Sequence, residues 1–497
     1  MTYGKVTLEI VRKLQDILGP ENVLTKPHER LQRTMSAAPF PLHKWGELMP
    51  DVAVLPGSAE EVVSIVKLAN VAKIPIVPRG GGTGLADGAV PLRKGIVVDM
   101  KRMNKILEID EKNLCATVQP GINLWALNEE LGKRGFLFPD DPASYPGAVV
   151  GGRIGTNGFS PFLVGCFGNT QDLVISLELV LPTGRKIRVG QGGGKKTRKS
   201  SYGYNLKNLF FGHQGTLGIV TEATLEMVPK PEVELPVYYG FSSFEDAYDS
   251  LGRIQRSGVS CCASLGIIDY ERITNLRRDD EAFIMLPEDI RSMIWMIFYG
   301  NNGEVHASKD TLSKICDEGG GVLLGKQFSA GWAARHDGYA IPLHGRTIDG
   351  KSTPLKWHCE DAAILYSEIP EVRRKWHEIG KKYREYGFED WGSWFFNNNP
   401  FKLGGDYLSE VDIGIDEIKF DDELWKHWVN LKREIAEVTL AHGGSISACH
   451  GGTRPGDVEL LPKEMSDGFW LMKEIKKMLD PNNIMNPGKY LLDEAYQ

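Results

Sequence analysis

The spacing of apolar residues predicts short strands and helices in alternation over the first part of the chain. Residues 7–18 carry apolar side chains at helical spacing, which predicts an N-terminal helix. Residues 52–55 form an apolar run typical of a strand, and Ser58 and Glu61 then have the spacing of a capping box that begins a helix. A second apolar run over residues 74–77 predicts the next strand, so this stretch is predicted to be a β-α-β unit.

A glycine-rich loop follows the second of these strands, at the end where α/β domains usually bind their ligands. Residues 80–84 are Gly-Gly-Gly-Thr-Gly. Glycine lets the backbone take positive φ and approach a ligand closely, and successive amide N–H groups can point at one anion. The spacing differs from the dinucleotide fingerprint, and the Gly-Lys-Ser/Thr that ends a P-loop is missing. Taken alone, the loop fits a phosphate cradle and a flexible surface turn equally well.

The pattern changes after a proline-rich segment near the middle of the chain. Residues 228–236 contain three prolines and are predicted to be a linker. Most of the tryptophans lie between about residues 237 and 440, where strands alternate with helices, which predicts an α+β domain with an antiparallel sheet. Residues 467–479 predict an amphipathic helix that ends before Pro481. The other predicted elements are strands at 95–99 and 115–119, a helix at 123–135, a second glycine-rich region at 147–158, and a hairpin of 172–181 with 186–189.

The length of 497 residues exceeds what one hydrophobic core usually holds, so several domains are expected. We predict a first domain over residues 1–230, which includes the N-terminal helical cap, and a second over residues 237–440. A C-terminal segment over residues 441–497 is predicted to return to the first domain. Apolar and charged fractions of 42% and 25% are typical of a soluble globular protein.

Composition argues against several classes of protein. A net charge of -7 without a basic block argues against nucleic-acid binding. We find no secretory signal and no apolar stretch long enough to span a bilayer. Seven cysteines without C-x-x-C spacing indicate neither a disulfide framework nor a zinc or iron–sulfur site. The expected location is therefore the cytoplasm, with peripheral association at a membrane left open.

Four spaced motifs together resemble the FAD-binding oxidoreductases of the vanillyl-alcohol oxidase and p-cresol methylhydroxylase superfamily. The chain most resembles the branch of D-lactate dehydrogenases and glycolate oxidase flavin subunits. The resemblance implies an α+β fold, with a two-subdomain FAD-binding domain of the vanillyl-alcohol oxidase type and a substrate domain of antiparallel sheet and flanking helices. The motifs are residues 78–84, residues 139–144 with 151–152 and 156–158, residues 195–199 with 215–222, and residues 480–489.

The resemblance implies FAD as the cofactor, with its pyrophosphate held by backbone in the glycine loop. The loop contains no histidine or cysteine, so the flavin is expected to be non-covalent, although Cys166, Cys449 and His450 leave covalent attachment open. The residues that the resemblance assigns to FAD are Pro78, Arg79, Gly80, Gly81, Gly82, Thr83, Gly84, Asp141, Pro142, Ser144, Gly147, Gly151, Gly152, Thr156, Asn157, Gly158, Ile219 and Asn486.

His450 is the candidate base for taking a proton from a substrate hydroxyl. It stands in a glycine-rich loop, where a side chain can meet substrate closely, and its ordinary pKa lies near neutral pH. In the lactate and glycolate branch this position belongs to a Glu-His-Gly motif, in which histidine is the base and glutamate a metal ligand. Here Cys449 replaces that glutamate. A lone histidine would more often be structural, so the surrounding motif carries the hypothesis.

Arg335 and Lys356 are the candidate residues for binding an anionic group of the substrate. Arg335 lies in Trp-Ala-Ala-Arg, which resembles the family's Trp-x-x-Arg segment, where the arginine pairs with the substrate carboxylate. The planar fork of a guanidinium suits that task. Lys356 resembles a second carboxylate contact of the family. An ordinary surface salt bridge is the alternative for each.

The chain departs from this branch at its metal site. Members with a divalent metal carry H-x-G-D-G-N-x-H, whereas residues 391–400 here contain no histidine. Because the glutamate is also lost, we predict no metal. The aromatic residues Trp391, Trp394, Phe395 and Phe396 that stand there instead fit core packing and the wall of a pocket for a larger, flatter substrate equally well.

Several other polar residues remain without an assigned role. His213 is expected to be structural, and the sequence does not select among His336, His344 and His358 as pocket residues. The basic cluster over residues 195–199 fits a solvated loop best, with a docking patch for an acidic electron carrier as a second interpretation.

The preferred function is FAD-dependent oxidation of a hydroxylated organic substrate, by resemblance a 2-hydroxy acid, with hydride transfer to flavin N5. His450 would be the base and Arg335 the anion anchor. Oxidation of an aromatic or phenolic alcohol is the first alternative, favoured by the lost metal ligands and the aromatic stretch. A non-redox enzyme similar to the alkyl-ether-lipid synthases and a flavin-binding subunit without activity are further alternatives. The electron acceptor (quinone, cytochrome, electron-transferring flavoprotein or oxygen) and the oligomeric state, with a homodimer as one option, are left open.

Overall fold

The computed structural model describes most of the chain. It covers residues 2–34, 36, 38–191, 194–278, 280–325, 327–333, 335–336, 347–348, 351–352, 355–399, 402–416, 419–452 and 455–496. For residues 329–331, 347–348, 351–352 and 355–357 it describes the backbone alone.

The described strands fall into two small sheets of the N-terminal part, one large sheet, and two short ribbons. They are β1 (Val23–Leu24), β2 (Val52–Val54), β3 (Ile76–Arg79), β4 (Ile96–Asp99), β5 (Ile106–Asp110), β6 (Cys115–Val118), β7 (Phe136–Leu137), β8 (Val174–Val180), β9 (Lys186–Gly190), β10 (Ile219–Glu226), β11 (Val228–Pro229), β12 (Val233–Phe241), β13 (Cys262–Ile268), β14 (Ser292–Gly300), β15 (Val322–Leu323), β16 (Thr347–Ile348), β17 (Lys351–Ser352), β18 (Leu355–Leu365), β19 (Glu389–Asn397) and β20 (Asp406–Asp416).

The described α-helices cover both parts of the chain. They are α1 (Leu8–Leu18), α2 (Pro27–Leu31), α3 (Ala59–Ala72), α4 (Leu124–Gly132), α5 (Val150–Thr156), α6 (Val164–Phe167), α7 (Thr170–Leu173), α8 (Phe244–Ile254), α9 (Tyr270–Leu276), α10 (Glu281–Ile284), α11 (Asn302–Glu318), α12 (Gln327–Ala333), α13 (Ile369–Tyr383), α14 (Asp422–Ala441), α15 (Leu461–Met465) and α16 (Asp467–Leu479).

The first sheet positions the glycine loop. Its order is β1-β2-β4-β3, and β2 and β3 each pair with β4 in parallel. The predicted β-α-β unit is confirmed, because α3 joins β2 to β3 and begins at Ser58, whose Oγ accepts the Glu61 amide over 3.1 Å. The loop therefore leaves the carboxyl end of β3 at the edge of this sheet.

The second sheet has the order β5-β6-β10-β8-β9 and is antiparallel throughout. It includes the predicted hairpin, formed by β8 and β9. Together the two sheets confirm the predicted two-subdomain architecture of the N-terminal domain. Its separate cores are built from α1, α3 and the first sheet, and from α4, α5 and the second.

The large sheet confirms the predicted antiparallel domain. Its order is β15-β12-β14-β13-β19-β20-β18. One face packs against α8, α11, α13 and α14 in the largest core cluster, which includes the buried rings of Trp376 and Trp428. The opposite face carries a second apolar cluster that includes Trp295 and Phe328. This second face turns toward the glycine-rich regions and forms a wall of the site described below.

The proline-rich segment is only partly a connection. We predicted residues 228–236 to be a linker, which is wrong for residues 228–229 and 233–236. Val228–Pro229 form β11, which pairs with β7, and β12 begins at Val233. Pro236 stands opposite Ile297 of β14, while β15 pairs with β12 only at Tyr239 and Gly240. A proline has no N–H, and a strand tolerates it where one edge has no partner.

The C-terminal segment packs against the first sheet at the base of the glycine loop. The predicted helix over residues 467–479 is confirmed as α16. Buried Lys476 donates to Asp480 over 2.6 Å and to the carbonyls of Thr216 and Met485 over 2.9 and 2.7 Å. Ile76 of β3 donates its amide to the Ile484 carbonyl over 2.7 Å. The Asp-Pro motif therefore ties the C terminus to β3, while the domain limits themselves stay predictions.

Candidate active site

A cavity of about 1040 Å³ lies between the two glycine-rich regions and the large sheet. It brings together parts of the chain that are more than 300 residues apart, from the glycine loop to His450. The predicted site residues that line it are Pro78, Arg79, Gly80, Gly81, Gly82, Thr83, Gly84, Pro142, Ser144, Gly151, Gly152, Thr156, Ile219, Arg335 and His450.

Five predicted cofactor residues do not line this cavity and instead support it. Asp141 accepts from Arg335, and the Gly147 carbonyl faces Gly81. The side chain of Asn486 donates to the carbonyls of Gly88 and Gln214 over 2.8 and 2.5 Å, so it joins three loops. The other two are Asn157 and Gly158, at the C-terminal end of α5. The side chain of Lys356 lies outside the described part of the chain.

The glycine loop makes room for a ligand by leaving out side chains. A Cβ added at Gly81 would come to 2.1 Å from the Gly147 carbonyl oxygen, and one at Gly80 to 2.7 Å from Val149. Gly82 has a φ of +73°, a conformation that favours glycine. The two glycine-rich regions therefore meet backbone to backbone, and the cradle they form fits the predicted backbone contact with the FAD pyrophosphate.

His450 lies on the cavity wall and is oriented by a carboxylate. Its Nδ1 is 2.8 Å from Oδ1 of Asp361, and the Cys359 Sγ lies 3.8 Å from the same nitrogen. The other oxygen of Asp361 accepts the backbone amides of Ala448 and Cys449 over 2.7 and 2.6 Å. One carboxylate therefore fixes both the histidine ring and the loop that carries it.

This pairing sets the charge of His450. Burial would lower the pKa of His450, but Cys449, Cys359 and the hydrogen-bonded Asp361 raise it well above its ordinary value. Burial raises the pKa of the Cys359 thiol well above its own ordinary value, so Cys359 is an uncharged thiol at neutral pH. Burial would also raise the pKa of Asp361, yet His450 and the backbone amides hold it below its ordinary value, so Asp361 is a carboxylate. The hydrogen-bonded charge of Asp361 therefore favours the imidazolium form of His450.

Glu410 is a second acid on the cavity wall beside His450. Its carboxylate, the Cys359 sulfur and a His450 ring nitrogen all lie within 4.8 Å of one another. Burial raises the pKa of Glu410 to about 8. The carboxyl is therefore mostly protonated at neutral pH and gives up its proton in the mildly alkaline range.

Two groups of described side chains bring potential metal ligands together. In the first, the pKa values of His450 and Cys359 are raised well above their ordinary values, so a metal would have to displace their protons to bind. The second centres on His377, whose two ring nitrogens already lie 2.7 and 2.8 Å from Asp390 and Asp269. The absence of a metal stays a prediction.

Arg335 stands on the cavity wall with its charge neutralised. Its Nε and Nη2 lie 3.1 and 2.8 Å from one Asp141 oxygen, and Nη1 lies 3.6 Å from Glu234. The guanidinium also stacks over the Trp332 ring at 4.1 Å. His336 binds the second oxygen of Asp141 over 2.6 Å. Asp141, predicted as a cofactor residue, thus holds the segment that carries Arg335.

The aromatic stretch on β19 contributes both to the core and to the cavity wall, because successive side chains of a strand point to opposite faces, while the size of the substrate stays a prediction. Phe395 is buried in the core beneath the helices. Trp394 and Phe396 line the cavity, with ring centroids 5.7 and 5.0 Å from that of Trp295. The cavity therefore has a wall of flat rings beside its polar groups.

The remaining histidines and the basic cluster have local partners. Burial lowers the pKa of His213 to about 4, so this cavity residue is neutral. His358 is buried, with Glu360 at 3.3 Å, and His344 lies outside the described residues. In the basic cluster, Lys195 pairs with Glu222 over 2.8 Å. Lys196 and Arg198 of the cluster also pair with acids, on β5 and β10, so these charges are used within the fold.

Three site residues escaped the sequence analysis: Asp361, Glu410 and Arg272, which all reach the cavity or His450 from the large sheet and α9. No local motif identifies these residues, because each is an acidic or basic residue in an ordinary strand or helix. Alternation along β20 was the one usable signal, since Glu410 and Asp412 share a face.

Comparison with known proteins agrees with this architecture. A family profile described as the FAD binding domain matches residues 50–190, and the C-terminal domain of FAD linked oxidases matches residues 230–490. No helix in the described part of the chain combines the length and apolar character needed to cross a membrane.

Relatives and a solved structure cover nearly the whole chain. It is 31% identical to the glycolate oxidase subunit GlcD of Bacillus subtilis (strain 168), over 99% of this chain and 98% of that one. It is 29% identical to a D-lactate dehydrogenase of Anaerostipes hadrus, over 98% of each. Its fold is similar to that of p-cresol methylhydroxylase with substrate bound, with a TM-score of 0.78 at 20% identity, over 98% of this chain and 97% of that one. The chain therefore belongs to the family of FAD-linked oxidases and is an FAD-dependent oxidoreductase.

Proposed function

We propose that the protein oxidises a 2-hydroxy acid, with the bound FAD taking up a hydride from the carbinol carbon and His450 taking the hydroxyl proton. The observation that carries this proposal is the pair of His450 and Asp361 at the wall of the cavity. The substrate class comes from the relatives, which are named as a glycolate oxidase subunit and a D-lactate dehydrogenase.

The pair supports a base because it selects a tautomer. With its Nδ1–H bonded to Asp361, a neutral His450 ring carries its lone pair on Nε2. No described residue forms a hydrogen bond with Nε2, so that atom is left for a substrate hydroxyl. Because Asp361 favours the imidazolium, the neutral form becomes more populated as pH rises, and the reaction should be faster in the alkaline range.

Arg335 enters the proposal as an anion anchor. Its position on the cavity wall and its planar guanidinium support this role. Asp141 already occupies two of its nitrogens, so an anion would bind to the remaining face of the guanidinium. Lys356 stays a proposed second contact, on the resemblance of its sequence alone.

Oxidation of an aromatic alcohol is the second candidate, favoured by the wall of Trp394, Phe396 and Trp295. Flat rings can stack against such a wall, whereas lactate or glycolate would touch little of it. An aromatic 2-hydroxy acid would satisfy both the wall and the charged groups. We further propose an external electron acceptor and the cytoplasm as location.

The test is anaerobic mixing of the flavin-loaded protein with two panels of substrates. Bleaching of the yellow flavin by D-lactate, malate, 2-hydroxyglutarate or mandelate supports the proposal. Bleaching only by benzylic or phenolic alcohols would replace it with the second candidate. No bleaching by either panel, with an intact flavin spectrum, would favour a non-redox reaction or a flavin-binding subunit.

A further inference from the structure

A second arginine lies on the cavity wall, on the large sheet's side. Arg272 of α9 is only 6% exposed, and its guanidinium stacks over the Trp394 ring at 4.6 Å. Its Nη1 lies 2.8 Å from Asp412 and 3.3 Å from Asn275. No described residue accepts a hydrogen bond from its buried Nε. A buried guanidinium with an unused donor fits a site that a ligand completes.

Arg272 is held in place from several directions. Asp269 caps α9 by accepting the Arg272 amide over 2.9 Å, and it also accepts the Ser393 amide and bonds to buried His377. Asp412 accepts from the Trp394 indole over 2.9 Å as well as from Arg272. One carboxylate therefore fixes both the guanidinium and the ring beneath it, so a ligand would find the fork already oriented.

The same wall connects Arg272 to His450. Glu410 and Asp412 are two residues apart on β20, so their side chains share a face and stand about 7 Å apart. Glu410 lies within 4.8 Å of His450, and Asp412 bonds to Arg272. The described partners of Arg335 are instead Asp141, Glu234, Trp332 and Phe162, and none of these is among the described hydrogen-bond partners of His450.

This difference matters for a 2-hydroxy acid, whose hydroxyl and carboxylate are on adjacent carbon atoms. The residue that binds the carboxylate must therefore stand beside the residue that takes the hydroxyl proton. Arg272 lies on the same row of side chains as His450, with Glu410 and Asp412 between them. Few negative charges would repel a carboxylate bound here. Asp412 is already paired with Arg272, and Glu410 is mostly protonated at neutral pH.

Resting on the function proposed above, we propose that Arg272 binds the substrate carboxylate. The Trp394 ring, stacked against the guanidinium, would hold Arg272 in position. Arg335, farther along the wall, would then meet the distal end of the substrate. The planar fork of an arginine matches a carboxylate with two parallel hydrogen bonds, which a lysine cannot reproduce.

The test is a titration of the oxidised, flavin-loaded protein with benzoate, an anion that cannot be oxidised there, followed by the visible spectrum of the flavin. Arg272→Met alone would take the guanidinium away from the buried Asp412 carboxylate, so it is combined with Asp412→Asn in a double variant. Arg272→Lys keeps the charge without the fork. The matched control is Arg278→Met, because Arg278 is exposed and pairs with Glu389 over 2.8 Å.

We expect the dissociation constant for benzoate to rise about tenfold to hundredfold in both Arg272 variants and to stay unchanged in the control. An unchanged constant in the Arg272 variants, or no binding by the wild-type protein, would overturn the assignment. A further comparison uses the acid and its neutral amide. In the wild type, KM should be lower for mandelate than for mandelamide. This preference should vanish in the double variant, and a merely structural role of Arg272 would not remove it.

Failure of this inference and failure of the proposed function give different results. If no 2-hydroxy acid bleaches the wild-type flavin, the proposed function fails, while the benzoate titration still decides whether Arg272 binds carboxylates. If hydroxy acids bleach the flavin and the Arg272 variants keep wild-type constants for benzoate and for mandelate, the function stands and Arg272 has no part in anion binding.

Discussion

Asp361 and His450 are 89 residues apart in the chain, and an Asp361 oxygen lies 2.8 Å from Nδ1 of the His450 ring. The same carboxylate holds two backbone amides of the loop that carries the histidine. The orientation and the charge of His450 therefore depend on a residue of the large sheet, and each can be tested through it.

Replacing Asp361 by asparagine should shift the pH dependence of flavin reduction. Without the carboxylate, the pKa of His450 should fall, so the neutral ring appears at lower pH and the rate reaches its plateau earlier. The plateau itself should drop, because an amide orients the ring less firmly. The measurement is the rate of anaerobic flavin reduction against pH. An unchanged profile with full flavin content would show that Asp361 does not govern His450.

Replacing Glu410 by glutamine should remove a titration near pH 8. Burial raises the pKa of Glu410 to about 8, and this carboxyl faces His450, Cys359, Asp361, Asp412 and Arg272. Its ionisation adds a negative charge next to the site as the pH rises through that value, and glutamine cannot ionise. The rate profile of the variant should lack that step. Glu437→Gln, at an exposed position of α14, is the control and should keep it.

Adding one methyl group at Gly81 should weaken FAD binding. Its Cβ would stand 2.1 Å from the Gly147 carbonyl oxygen, so the two glycine-rich regions would have to move apart. Such overpacking typically costs about 1–3 kcal/mol, which corresponds to roughly tenfold to hundredfold weaker binding. Flavin content and the dissociation constant of the apoprotein for FAD measure it.

Gly84→Ala is the matched control for this variant, since a Cβ there meets nothing within 4 Å. It belongs to the same loop and lines the same cavity. Equal loss of FAD from both variants would argue that the loop tolerates no side chain anywhere. Equal retention would contradict the close approach of the two regions.

His377 should contribute stability that disappears at high pH. Burial would lower the pKa of His377, but the hydrogen bonds and charges of Asp269 and Asp390 raise it from 6.5 to about 10. A folded-state pKa above the unfolded value stabilises the fold fully below about 6.5, and the gain is lost as pH rises through about 10. Breaking such a buried pair costs roughly 3–5 kcal/mol.

Thermal unfolding of His377→Ala measures this contribution. At pH 7 the Tm of the variant should lie well below that of the wild type, and the difference in Tm should narrow above pH 10. His306→Ala, at an exposed position of α11, should unfold like the wild type at both values. A gap that stays constant with pH would mean that packing alone, and no ion pair, explains the loss.

The predicted absence of a metal is also testable. The purified protein should contain no stoichiometric divalent ion, and a chelator should leave flavin reduction unchanged, because the raised pKa values of His450 and Cys359 favour bound protons over a metal. A stoichiometric ion that is lost in Cys359→Ala would overturn this expectation and would place a metal beside the candidate base.

Local signals in the sequence were enough for most elements. A close backbone approach requires glycine, so the run over residues 80–84 marks a candidate cradle, but the three other motifs were needed to assign it to FAD. Capping at Ser58 and alternation along β19 are likewise local. Pro236 misled the prediction, because an unpaired strand edge is a property of the sheet rather than of the segment.

The polar side of the site could not be predicted in the same way. Asp361 and Glu360 are neighbours on β18, and only the fold shows that the first faces His450 and the second Lys432. Arg272 likewise acquires its partners from β19 and β20, more than 100 residues later. Such pairings are contacts across a sheet, and a single sequence contains no record of its register.

The central claim is that a 2-hydroxy acid loses the hydrogen on its carbinol carbon to the bound flavin while His450 takes the hydroxyl proton. The most direct measurement is rapid anaerobic mixing of the flavin-loaded protein with the fastest 2-hydroxy acid, carrying hydrogen or deuterium at C2. The account predicts slower bleaching with deuterium in the wild type and almost no bleaching in His450→Ala with its flavin retained. Bleaching at equal rates for both isotopes, or at the wild-type rate in His450→Ala, would contradict it.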